Sequence, residues 1–385
     1  MKIESSPLFN IIENRDSVHC YFGWPTVARL KDGRLAAGVS GFRLGHVCPF
    51  GKSVISFSED EGKTWSAPSV VFDTLLDDRD TGLCPFGEDG LAVTCFNNAA
   101  ASLHKYASHF DNQPLLLDYI RSYLRVLDAR PEADRYAGSL IRFSHDSGRS
   151  FGPIQIVPVT SPHGPLALED GSLLYVGNPH VMESGVLRHD PYRLQCWHIR
   201  EDGAQELLGE VPPPPDGHTA EEPHAVLLPS GRLLVHIRIE HGGVSSRGDF
   251  FTVYQSESDD GGHSFSVPHP IGVDELGGSP PHLLYHEGLL VSTYARRAEP
   301  HQLRAAFSRD GGVTWDCDNV ITPLPDPHAD LGYASTAALR DGSFLTVYYG
   351  GDPALPNRTC FPGDGVVYEY PTPVVRGVRW RLAER

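Results

Sequence analysis

The sequence predicts an all-β fold, a single six-bladed β-propeller over residues 1–385 with a short helical insertion after blade 2. Three observations predict it. An apolar strand, a tight turn and a second apolar strand recur six times, with turn glycines Gly33, Gly90, Gly171, Gly231, Gly288 and Gly342. A second pattern, S-x-D-x-G-x-[ST]-[WF], occurs at 58–65, 144–151, 258–265 and 308–315. The composition, with Gly 39, Pro 32 and Met 2, suits many short strands joined by tight turns.

The six repeats begin at Pro25, Thr81, His163, Glu222, Ser279 and Tyr333. A two-residue turn ending in glycine is a strong short-range hairpin signal, because both turn residues need positive φ. An interval of about 55 residues matches one four-stranded blade. The interval between Gly90 and Gly171 is longer, and its excess lies around residues 114–130. There Leu116, Ile120, Tyr123, Leu124 and Leu127 share one helical face, and Pro114 suits a first helical position. This helical excursion from blade 2 is expected to cover a rim or an interface, which leaves a homodimer contact open. The proline run 212–215 reads as a stiff loop into blade 4. Residues 2–12 are expected to pair with 366–370 or with 374–382, closing the ring and removing its exposed edges. In the second pattern the aspartate can accept turn N–H groups, the glycine takes positive φ and the aromatic packs beneath. Its aspartates are therefore read as scaffold.

The net charge of −17 is the wrong sign for a nucleic-acid face. No apolar run approaches the roughly 20 residues of a membrane span. Seven scattered cysteines without CxxC pairing suggest unpaired buried thiols, and the N-terminus has no basic and apolar leader. Together these give the expectation of a cytoplasmic protein.

The aspartate-box turns on a six-bladed repeat resemble the sialidase (neuraminidase) superfamily along essentially the whole chain. The resemblance implies an exo-glycosidase that needs no cofactor or metal and acts on a carbohydrate bearing a carboxylate. Its chemistry would use a tyrosine nucleophile, since an anionic one is repelled by that carboxylate, with a glutamate as base and arginines on the carboxylate. Tyr333 matches the nucleophile, Glu222 the base, and Arg238 and Arg304 two of the arginines. Glu222 and Tyr333 each stand eight residues before a hairpin turn, at Ser230 and Asp341, which places both at the channel mouth.

Blade 1 departs from the pattern. Gly23-Trp24-Pro25 stands where the family carries Arg-Ile-Pro. Arg43 matches the second arginine, but no aspartate follows it to act as acid. Asp80, nine residues before its turn residue Asp89, and His46 are the candidate acids. Arg79 beside Asp80 is a candidate for binding substrate, and Trp24 for stacking on a sugar face. His163, His224 and His282 head blades 3, 4 and 5; their spacing is no metal signature, and His163 is expected to bond sugar hydroxyls. Two other functions remain: a polysaccharide lyase or non-sialidase glycosidase on the same scaffold, and a non-catalytic glycan-binding propeller.

Overall fold

Each apolar hairpin forms the two inner strands of an antiparallel sheet, and six such sheets surround one axis. A computed structural model describes residues 2–107, 114–183, 186–215, 217–240, 251–355, 357–360 and 368–383. Blade 1 is Tyr21–Arg29, Leu35–Arg43, Lys52–Ser58 and Ser69–Phe72; blade 2 is Arg79–Phe86, Gly90–Asn97, Gly138–Ser144 and Gln155–Val157. Blade 3 is built on Leu166–Ala167, Leu173–Glu183, Leu194–Ile199 and Gln205–Val211, with Val186–His189 added as a hairpin on its long second strand. Blade 4 is Thr219–Leu227, Leu233–Glu240, Phe251–Ser258 and His269–Pro270; blade 5 is His282–His286, Leu289–Arg296, Gln302–Ser308 and Asp316–Val320. Blade 6 has Gly332–Ala338, Phe344–Gly351 and Pro373–Leu382.

The ring closes through the N-terminus. Ile3–Ser5 and Phe9–Ile12 pair antiparallel with Pro373–Leu382, the second of the two partners expected from the sequence. Val366, the head of the other candidate, lies outside the described residues. The core is divided among the blade interfaces. Ile55, Phe72, Leu91 and Val93 fill the gap between blades 1 and 2, and Val291, Phe307, Tyr348 and Trp380 that between blades 5 and 6. The six cysteines whose side chains are described are unpaired, and five of them are buried.

The four repeated aspartates all hold turns. The Asp60 carboxylate accepts the N–H groups of Lys63 (3.0 Å) and Thr64 (2.8 Å) and the hydroxyls of Ser58 (2.9 Å) and Thr64 (2.7 Å). Asp146, Asp260 and Asp310 repeat the arrangement.

The helical insertion leaves the second strand of blade 2 and returns into its third. Its helices are Ala100–Ala107 and Pro114–Asp128, followed by a 3-10 turn, Pro131–Tyr136. Leu117, Ile120, Leu124 and Leu127 form the buried face of the second helix, a stripe one position off the expected one at its start, with Leu116 and Tyr123 half-buried. This face packs on Leu44, Cys48 and Leu76, and Tyr119 stacks on Phe50 at 4.6 Å. The insertion thus covers a rim, the loop that follows Arg43. No described helix is long and apolar enough to cross a membrane.

The turn aspartates give stability a predictable pH dependence. The Thr64 N–H and hydroxyl, with the other donors, hold the Asp60 carboxyl well below the usual carboxylate range. A depressed folded value means stabilisation present above the unfolded value, about pH 4, and lost as pH falls through the folded one. Asp60→Asn is expected to lower Tm at pH 7 and leave turnover unchanged, with the gap in Tm to wild type narrowing as thermal melts are taken down to pH 2.

Candidate active site

Four blades share one backbone irregularity at the channel mouth. The pairing of the first two strands slips between Gly23 and Thr26, Arg79 and Gly82, Glu221 and His224, and Gly332 and Ser335. The first residue in each bulge is left-handed: Trp24 (φ 54°), Asp80 (φ 50°), Glu222 (φ 50°) and Tyr333 (φ 52°). A bulge re-aims its side chain relative to the strand, and bulky residues at positive φ persist only where the surroundings hold them. Two such supports are visible. The Glu222 N–H donates to Asn178 Oδ1 (3.1 Å), while Asn178 Nδ2 donates to the carbonyls of Asp190, Arg193 and Ala220. Gly332, at φ 138°, has no room for a Cβ, which would lie 2.4 Å from Ser279 Oγ.

The bulges bring Tyr333 and Glu222 into contact. Tyr333 OH donates to Glu222 Oε1, and Arg238 Nη1 donates to Glu222 Oε2. Arg238 also pairs with Glu240 and lies over the Phe251 ring at 5.0 Å. Burial pushes the Tyr333 phenol well above its ordinary value, and the Glu222 and Asp80 charges push the same way. Tyr333 is therefore neutral, with its proton aimed at a carboxylate. Asp80 is 5% exposed, and burial raises its carboxyl to about 7, with the Arg79 charge opposing and the Glu222 charge adding. Its Oδ1 has no hydrogen-bond partner among the described residues. Two carboxylates in one mouth thus sit in opposite environments, one bonded by a guanidinium and a phenol, the other desolvated.

The remaining expected site residues divide. His46 is at the rim: its Nδ1 lies 3.0 Å from Tyr21 OH and 3.3 Å from Asp330 Oδ1, and burial lowers its pKa despite Asp330. Trp24 is at the centre but only 1% exposed. The guanidinium groups of Arg79 (4.2 Å) and Arg43 (4.8 Å) lie over its ring, and Tyr21, Tyr333 and Tyr349 surround it. It is a wedge between blades, with no face for a sugar. Arg43 is fully buried on Asp77 (2.6 Å) and is likewise turned away from any ligand. Arg79 donates to the His46 carbonyl at 3.2 Å.

Arg304 is a correction. It lies on the third strand of blade 5, tied to Asp274 (2.8 Å) and Asp318 (3.3 Å), whereas the mouth is lined from first and second strands. The blade 5 arginine at the mouth is Arg297, just past the second strand. Its guanidinium lies 6.0 Å from the Tyr333 ring centre and bonds the Leu331 carbonyl (2.9 Å) and Tyr349 OH (3.2 Å). Those partners are neutral, and no described carboxylate pairs with it. The signal was present in the repeat itself, which ends in Arg296-Arg297 as the blade 4 repeat ends near Arg238.

His163, His224 and His282 do converge, with ring centres 4.4–5.5 Å apart, and His163 lies 6.4 Å from the Tyr333 ring. His163 is 1% exposed, too deep for a sugar hydroxyl. His224 Nδ1 accepts the Leu283 N–H (2.9 Å) and His282 Nδ1 the Thr336 N–H (3.3 Å), so both carry their proton on Nε2. A protonated Nε2 cannot ligate a metal. Among the described residues no group of three or more His, Cys, Asp or Glu is placed to hold one.

The chain matches no protein-family model and no curated protein. It is similar to solved structures. A protein of unknown function from Dyadobacter fermentans superposes with TM-score 0.71 at 16% identity, covering 99% of both chains. An intramolecular trans-sialidase from Ruminococcus gnavus gives 0.62 at 12%, covering 95% of this chain and 96% of that one. An α-L-arabinanase from Penicillium chrysogenum gives 0.58 at 13%, covering 98% of both. The likeness is one of fold.

The desolvation of Asp80 is directly measurable. In difference infrared spectra the protonated carboxyl band of Asp80 is expected to vanish as pH rises through about 7, and to be missing in Asp80→Asn. A band that has already gone by pH 5 would place Asp80 in water.

Proposed function

We propose that the chain is a retaining exo-glycosidase that removes a terminal acidic sugar. The observation that carries this is the hydrogen bond from Tyr333 to Glu222, a neutral phenol poised to lose its proton to a carboxylate. In the first step Tyr333 Oη bonds to the anomeric carbon and its proton passes to Glu222. The glycosidic bond breaks, and the leaving oxygen takes the proton of Asp80. In the second step water attacks the same carbon, Tyr333 leaves and recovers its proton from Glu222, and the water's proton returns to Asp80. Asp80 suits the acid role better than His46, because burial keeps Asp80 protonated near neutral pH and keeps His46 neutral. The sugar carboxylate is assigned to Arg297, the mouth arginine that among the described residues is bonded only to neutral groups, with Arg238 beside it.

One observation favours a second reading. Arg43 is locked on Asp77 and Arg304 lies elsewhere, so fewer arginines face the mouth than the sialidase resemblance implies. A uronate carboxylate neutralised by one arginine would suit elimination by a lyase.

Turnover of fluorogenic sialosides and uronides separates the readings. Tyr333→Phe is expected to lower kcat by about 10³-fold or more with unchanged folding. Wild-type kcat is expected to fall as pH rises above about 7, where Asp80 loses its proton. Asp80→Asn is expected to lose about 10²–10⁴-fold on poor leaving groups and far less on activated ones. Undiminished turnover by Tyr333→Phe removes the nucleophile, and an unsaturated product absorbing in the near ultraviolet establishes the lyase.

A further inference from the structure

Among the described residues no carboxylate bonds Arg297, so its neutral partners fix its direction. Its two anchors are Leu331, in the segment between blades 5 and 6, and Tyr349, on the second strand of blade 6. Nε donates to the Leu331 carbonyl (2.9 Å), and Nη2 donates to Tyr349 OH (3.2 Å). Tyr349 OH in turn donates to Asp330 Oδ1 (2.9 Å). A hydroxyl has one proton. By drawing it, Asp330 leaves the phenol's lone pairs facing Arg297. The second oxygen of Asp330 accepts from Tyr21 OH (3.0 Å), and His46 Nδ1 stands 3.3 Å from the first. The carboxylate is thus held from blades 1 and 6 while Arg297 comes from blade 5.

We propose that Asp330 is a positioning residue which, through Tyr349, aims the Arg297 guanidinium over the mouth and so sets the preference for a carboxylated sugar over its neutral analogue. The inference rests on the hydrolase reading above and adds to it the groups that set substrate class. It differs in sign from simple electrostatics. Asp330 is an anion near the mouth, and on charge alone its removal would strengthen the binding of an anionic sugar. If its role is to orient Tyr349, removal weakens that binding.

The test uses the full chain and matched nitrophenyl glycosides of sialic acid and glucuronic acid, each with its methyl ester. Wild type is expected to prefer the acids. Tyr349→Phe keeps every charge and is expected to cut the acid-to-ester ratio of kcat/KM about tenfold, through KM, as loss of one hydrogen bond to a charged group implies. Asp330→Asn is expected to move the ratio the same way, with melting temperatures reported for both variants to separate misfolding from misalignment. A ratio unchanged in Tyr349→Phe, or raised in Asp330→Asn, overturns the positioning role while leaving the hydrolase reading intact. A wild type with no turnover, or with no preference for the acids, overturns that reading and this inference with it.

Discussion

The site depends on a backbone constraint, a left-handed bulge at the head of the first strand in four of the six blades. A straight strand would point alternate side chains along the channel wall, and Tyr333 and Glu222 would belong to separate blades without meeting. The bulges re-aim these side chains, so that Tyr333 and Glu222 meet. For Trp24, Asp80, Glu222 and Tyr333 the bulge costs about 1–3 kcal/mol each. A single buried Val or Leu returns about 1.5–3 kcal/mol, and the blade interfaces contain many more than four. The propeller can therefore carry the strain, and Asn178 and Gly332 localise it.

Once side chains are gathered this way, their environments differentiate them. Glu222 accepts hydrogen bonds from Arg238 and Tyr333. Asp80, one bulge away in blade 2, is desolvated and retains a proton to about pH 7. Gly23 stands in blade 1 where the sialidase resemblance implies an arginine, and Arg43 and Arg79 pack on the ring of the adjacent Trp24. The arginine at the mouth with no carboxylate partner among the described residues is Arg297 of blade 5. That shift makes the segment at Asp330–Leu331 part of the site.

Much of the fold was legible because a propeller is written as a repeat. The hairpin glycines, the aspartate turns and the N-terminal closure each depend on residues close in sequence or on one strand's edge. Glu222, Tyr333 and Asp80 were legible for the same reason, since counting back from a turn locates the mouth end of a first strand. Arg304 was matched to an arginine by the resemblance, and a match along the chain does not say which strand of the blade faces inward. Asn178, Asp330 and Tyr349 were missed because their significance lies in contacts across blades, which no local pattern records. Trp24 and Arg43 were located correctly along the chain, but burial between blades closed them to a ligand.

The central claim is that Tyr333 becomes covalently bonded to the sugar. Incubation with a fluorinated acidic-sugar analogue that slows the second step, followed by peptide mass mapping, tests it most directly. A glycosyl adduct on the peptide containing Tyr333, localised to that residue and missing in Tyr333→Phe, is the expected result. An adduct on Glu222, or turnover that inverts the anomeric configuration, would contradict it.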